Sequence, residues 1–140
     1  MVSMQLRVIY GDTDQMGVVY YANYLRFFEA VRNEFIRAKG LRYRDFEQIY
    51  GLMLPVVEAA VQYRQPARYD DLLTVEATLS EARRASARFD YRVLREGELL
   101  ATGHTVHACV ETAGRVRRMP PELLERLGAG EPAGDAGAAK

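Results

Sequence analysis

Asp12 and Asp14 are the residues of this 140-residue chain whose type and position best suit covalent or acid–base chemistry. They fall in the segment YGDTDQMGVVYYANY, Tyr10 to Tyr24, a few residues ahead of a stretch whose apolar spacing predicts a helix. A helix N-terminus carries unpaired N–H groups and a partial positive charge, so it can polarise a carbonyl and stabilise a developing oxyanion. A carboxylate beside it can attack that carbonyl or activate a water. Either aspartate also suits a purely structural role, because aspartate orders turns and caps helices. The spacing alone leaves both readings open.

Other reactive side chains are few. The two histidines, His104 and His107, lie three residues apart in a predicted strand, which puts them on opposite faces and rules out a shared metal. His107 shares a face with the single cysteine, Cys109, as a Cys/His nucleophile pair requires. A free cysteine is more commonly a small buried hydrophobe, and that reading is preferred. The chain has no CxxC, HExxH, GxSxG or Walker loop, so zinc, nucleotide and serine-hydrolase readings fall away. Arg83 and Arg84, with Arg88 and Arg92 beyond them, form one basic cluster, and Arg115, Arg117 and Arg118 another. Such clusters are usually solvated faces, but the planar fork of arginine also suits it to phosphate.

The elements that must position these residues are legible from periodicity. Met4 to Tyr10 reads as a strand, and Gly11 to Gly17 as a break. From Tyr21 to Lys39, Tyr24, Phe28, Val31, Phe35 and Ala38 recur at steps of three and four. Leu25, Phe27 and Ile36 widen the stripe, and Gly40 stands where a helix ends. A short helix over 44–50 follows. Strands are then predicted with Val57, Ala59, Val61 and Tyr63 on one face, then Leu73, Val75, Ala77 and Leu79, then Ala87, Phe89, Tyr91 and Val93. Each should be half-buried. Two more strands are expected over 99–110 and 116–119, then a helix opened by Pro120 and Pro121 and ending at Leu127. The result is an α+β domain with one long helix on one sheet face. The other face, if apolar, needs a cover, which predicts dimerisation, edge to edge into a continuous sheet.

Length and charge narrow the function classes. One core accounts for 140 residues. With 19 basic and 19 acidic residues, the net charge of zero supplies no field to draw the chain to nucleic acid or an anionic membrane. The absence of an 18-residue apolar run or signal-type segment predicts no membrane span and a cytoplasmic location.

The run from Asp12 to Tyr24, followed by Phe28, Glu29 and Arg32, and Pro66 to Asp71 ahead of a strand, resembles the signature of hotdog-fold acyl-CoA thioesterases of the 4-hydroxybenzoyl-CoA thioesterase and YbgC-like group. The likeness spans residues 4–127. It implies a hotdog domain over 1–127, with a long central helix wrapped by a curved, mostly antiparallel sheet of five to six strands, and a disordered tail over 128–140. It also implies hydrolysis of an aliphatic or aromatic acyl-CoA without a cofactor, by a dimer or tetramer. The family's catalytic carboxylate falls on Asp14, its loop glycine on Gly17, and its carbonyl-polarising backbone amide on Tyr21. Many YbgC-like members carry His at the last position, whereas the hydroxybenzoyl-CoA enzymes are similar to this chain in carrying Tyr.

Glu29 falls where the hydroxybenzoyl-CoA enzymes place an acid facing the substrate, although an ion pair with Arg32 explains it equally. Tyr24 joins it as a substrate-side residue, and Arg83, Arg84 and Arg117 are the candidates for CoA phosphates. Two rivals stand beside hydrolysis: a binding module for acyl-CoA or acyl carrier protein, and a hydratase or dehydratase. The second needs an Asp/His pair near the long helix, and no histidine precedes His104.

Overall fold

A computed structural model describes residues 1–128, so the tail expected over 128–140 lies, beyond Gly128, outside the described residues. Seven strands and three α-helices follow in chain order: β1 (Val2–Arg7), α1 (Asn23–Ala38), α2 (Tyr43–Tyr50), β2 (Leu52–Met53), β3 (Val56–Tyr63), β4 (Leu72–Ala82), β5 (Ser86–Arg95), β6 (Glu98–Ala108), β7 (Val110–Glu111) and α3 (Pro121–Leu127). Five strands form one sheet in the order β1-β4-β5-β6-β3, every neighbouring pair antiparallel, while β2 and β7 make a separate short ladder.

The long helix forms because Tyr24, Phe27, Phe28, Val31, Phe35 and Ile36 recur on one side of a 3.6-residue turn, and all six are buried. They cover Leu73, Val75 and Ala77 of β4, Phe89, Tyr91 and Val93 of β5, and Leu100 and Ala101 of β6. Leu25 and Ala38, expected on the stripe, face outward instead. The Phe28 ring stacks on Tyr91 at 4.3 Å. Gly103 of β6 makes that close approach possible: a Cβ there would lie 2.5 Å from both the Phe28 ring and the Ala60 carbonyl oxygen. Lys39 ends the helix, and Gly40 takes the left-handed φ of 80° expected of the residue after the cap.

Three expectations need correction. The first strand stops at Arg7, because residues 10–12 turn into a single 3-10 turn. Residues 116–119 form no strand: Val116 makes one isolated bridge to Val110 and is largely exposed. The outer sheet face is not an apolar surface in need of cover. It carries Arg92 on Glu76 at 2.8 Å, Arg88 on Asp90 at 3.1 Å and His104 on Glu58 at 2.6 Å. The unpartnered surface is instead the β3 edge, where Val56, Val57 and Tyr63 are exposed and Val61 alone among the apolar residues expected inside packs against the core.

His104 and His107 lie on opposite faces, as their spacing predicts. His107 is buried beneath α1 and its two ring nitrogens are taken, Nδ1 by the Leu54 carbonyl at 2.9 Å and Nε2 by Thr105 Oγ1 at 2.9 Å. Cys109 is buried in the second apolar cluster, where burial raises its thiol pKa. Neither residue belongs to a nucleophile pair. A carbonyl can only accept, so Nδ1 carries the proton and Nε2 accepts from Thr105. Tyr91 then donates to Thr105 at 2.6 Å, and Arg32 donates to Tyr91 at 3.0 Å.

Protonating His107 would reverse the chain and strand the Tyr91 hydrogen, and burial already disfavours the cation; its pKa is lowered to about 4. Between about pH 4 and 6.5 the unfolded chain therefore binds more protons than the folded one. This contribution to stability is complete above 6.5 and is lost as the pH falls toward 4, by at most about 3 kcal/mol. Urea unfolding of wild type and His107→Gln across that window should show a shallower slope in the variant; equal slopes would discount His107 as the titrating group.

Candidate functional site

The segment before α1 is fastened at both ends by Asp12. Its Oδ2 accepts the Ile9 N–H at 3.0 Å and its Oδ1 pairs with the Arg26 guanidinium. Its carbonyl accepts the Tyr20 N–H at 2.8 Å and the Asn23 side-chain amide at 2.9 Å. This carboxylate is buried and fully engaged. Between these ties the chain makes a tight hairpin: Thr13 bridges Val19, Asp14 N–H donates to the Val18 carbonyl at 3.0 Å, and Gly17 N–H donates to the Asp14 carbonyl at 2.9 Å. Gly17 has φ of 80°, which a side chain would strain. It does not line the cavity described next, so its part is to shape the turn rather than to touch a substrate. Val19 N–H on the Ala67 carbonyl at 2.8 Å and a bridge from Val18 to Arg68 fix the hairpin to the chain that follows β3.

Asp14 opens onto a cavity of about 300 Å³. One carboxylate oxygen accepts the Met16 N–H at 2.9 Å; the other has no partner among the described residues. Met16, Val18, Val19 and Pro66 supply apolar wall, Tyr21, Tyr24 and Tyr63 aromatic wall, and Arg64 the cation. Tyr24 is buried, its ring edge-on to Tyr63 at 5.1 Å and to Phe27 at 5.7 Å. Burial raises the phenol pKa of both Tyr24 and Tyr63, so both remain hydrogen-bond donors at neutral pH.

The helix begins two residues later than its apolar stripe suggests, with Ala22 as N-cap and Asn23 as the first helical residue. Tyr20 N–H is used by Asp12 and Asn23 N–H by the Tyr20 carbonyl, but the amides of Tyr21 and Ala22 between them donate to no described residue. Two free donors therefore stand at the positive end of α1, and Tyr21 lines the same cavity as Asp14. A carboxylate with a free oxygen and unbonded amides around one apolar cavity can attack or hydrate a carbonyl carbon while holding its oxygen.

The other expected site residues lie elsewhere. Glu29 is exposed, does not line the cavity and makes no ion pair with Arg32 among the described residues. Arg83 and Arg84 follow β4, and Arg117 bonds back to Cys109. They sit past the row that pairs Ser86 with Ala108, whereas the cavity lies by the row pairing Tyr63 with Ala101. Seven residues of β6 separate the two rows, about 23 Å at ~3.3 Å per residue. Tyr63 and Arg64, which spacing did not single out, occupy the place near Asp14 instead. A larger groove of about 410 Å³ crosses the outer sheet face, but its Arg88, Asp90, Arg92 and Glu76 are paired with one another, and it offers no free carboxylate beside unbonded amides.

The thioesterase-like superfamily profile matches residues 8–127. The acyl-CoA thioesterase YbgC of Haemophilus influenzae is 38% identical over 109 residues, covering 78% of this chain and 80% of that protein. The 1,4-dihydroxy-2-naphthoyl-CoA hydrolase of Synechococcus elongatus is 36% identical over 121 residues, covering 85% and 89%. A mutant 4-hydroxybenzoyl-CoA thioesterase solved with 4-hydroxybenzoyl-CoA superposes with a TM-score of 0.82 at 27% identity, covering 90% of this chain and 97% of that one.

Proposed function

The chain belongs to the thioesterase-like superfamily, with the hotdog fold of its relatives, and on that premise we propose that it is an acyl-CoA thioesterase whose chemistry is carried by Asp14 and the Tyr21 amide. Water and acyl-CoA give the free acid and CoA thiol. Asp14 either attacks the thioester carbon, expelling the CoA thiolate and leaving an acyl–aspartyl anhydride for water to open, or removes a proton from the attacking water. In both routes negative charge develops on the carbonyl oxygen, and the unbonded amide at the start of α1 is the donor for it. The observation that carries this reading is the pairing, around one apolar cavity, of a carboxylate oxygen without a partner and backbone N–H groups without acceptors.

No histidine lines the cavity, since His104 pairs with Glu58 on the outer face and His107 is held in the core, which favours hydrolysis over a hydratase or dehydratase. The aromatic wall of Tyr21, Tyr24 and Tyr63 suits aromatic as well as short aliphatic acyl groups. The working unit is a homodimer or tetramer in the cytoplasm. A two-fold axis pairing β3 with its copy runs the strands antiparallel, setting the Val56 end of one beside the Tyr63 end of the other. Arg83, Arg84 and Arg117 would then reach toward the partner's cavity, with Arg64 the phosphate contact supplied by the same chain.

The deciding experiment is thiol release from a panel of aromatic and aliphatic acyl-CoA and acyl-carrier-protein esters, with and without EDTA. Turnover of at least one ester, unaffected by EDTA, is expected; stoichiometric binding with no released thiol would make the chain a binding module.

A further inference from the structure

We infer that Tyr63 is a positioning residue that holds the pre-helical turn carrying the oxyanion donor, an inference that rests on the roles proposed for Asp14 and the Tyr21 amide. The Tyr63 hydroxyl donates to the Tyr21 carbonyl at 2.9 Å, across 42 residues of sequence. The same carbonyl is reached from within the helix only by Tyr24 N–H at 3.4 Å, near the limit of a useful bond. The first turn of a helix has few ties of its own and frays, so the shorter bond is the stronger restraint on residue 21. The Tyr63 ring is in turn braced edge-on against buried Tyr24, and burial keeps its phenol protonated and donating.

The placement of this tether matters for catalysis. Residue 21 offers a carbonyl on one side and an unbonded N–H on the other. Fixing the carbonyl therefore restricts where the N–H can point, and an oxyanion donor is useful only when aimed before the charge appears. A bond to the carbonyl also polarises the short chain of amides at the helix start. Strand β3 thereby does more than close the sheet: its last residue reaches across to α1 and sets the donor.

Tyr63→Phe removes the hydroxyl and keeps the ring. With the best acyl-CoA ester, kcat should fall about tenfold, the equivalent of one hydrogen bond, while KM and the affinity for a non-hydrolysable CoA thioether stay within about twofold. In a Tyr21→Pro background, where the donor is already gone, the same change should cost less than about twofold further. Wild-type kcat in folded Tyr63→Phe overturns the inference, as does a loss shared by KM and thioether affinity, which would make Tyr63 a binding residue. A full tenfold loss added on top of Tyr21→Pro overturns it too. Asp14→Asn, assayed alongside, separates the two levels: if that variant keeps full activity the site itself is misassigned, whereas its inactivity with an unaffected Tyr63→Phe removes only the role of Tyr63.

Discussion

Asp14→Asn should lower kcat on the best acyl-CoA ester by roughly 10²- to 10⁴-fold, the range removed with a positioned base or nucleophile. The substitution keeps the shape of the side chain, and its amide oxygen can still accept the Met16 N–H that orders the turn. Circular dichroism and urea unfolding should therefore match wild type. Asp12→Asn supplies the contrast. Asp12 is buried, pairs with Arg26 and bonds the Ile9 N–H, so losing its charge should cost about 1 to 3 kcal/mol of stability while kcat per folded molecule changes much less. Thiol release measured together with unfolding separates the two. If Asp14→Asn retained wild-type kcat, or Asp12→Asn were the inactive member, the carboxylate assignment would move.

The second large effect is expected for Tyr21→Pro. Proline removes an amide hydrogen that no described acceptor uses, just ahead of the helix, where the loss of a donor disturbs no ladder. Deleting one oxyanion donor typically lowers kcat ~10²- to 10³-fold, and that loss is expected here with KM little altered. Two neighbours serve as controls. Tyr21→Phe leaves the amide in place and removes only an exposed hydroxyl, so most activity should remain. Ala22→Pro deletes the adjacent free amide at a residue whose φ of −70° already suits proline, and it should lose less. Collapse in Tyr21→Phe would transfer the role to the phenol, and collapse in Ala22→Pro alone would transfer it one residue along the chain.

The parts of this arrangement that follow local periodicity were legible in the sequence. A stripe of aromatic residues every three or four positions can hardly be anything but the buried face of α1, and the alternation in β4 and β5 assigns inside and outside residue by residue. Periodicity does not report what lies beside a strand. β3 alternates like its neighbours yet ends at the sheet edge, so Val57 and Tyr63 are exposed where burial was expected.

The helix start moved from Tyr21 to Asn23 because the Asp12 carbonyl captures the Tyr20 amide, a contact between loop and helix that no spacing rule contains. At the site, Asp14, Tyr21 and Tyr24 come together because one short segment holds all three. Tyr63 and Arg64 arrive through the register of β3 on β6, which only the sheet order reveals. Glu29 and the arginines at 83, 84 and 117 show the opposite case, with suitable chemistry on elements that point or end elsewhere in the same chain.

Gly103 extends the site's requirements to a residue with no side chain to offer. The helix sits as low on the sheet as it does because nothing projects from this point of β6, and Phe28 fills the space. Any substitution there must lift α1 or displace β3, and those two elements carry the opposite ends of the Tyr63–Tyr21 tether. A survey of substrate contacts would pass over this position. Its replacement should nonetheless behave as a catalytic lesion, and sequence drift in this enzyme is constrained as tightly beneath the helix as at its tip.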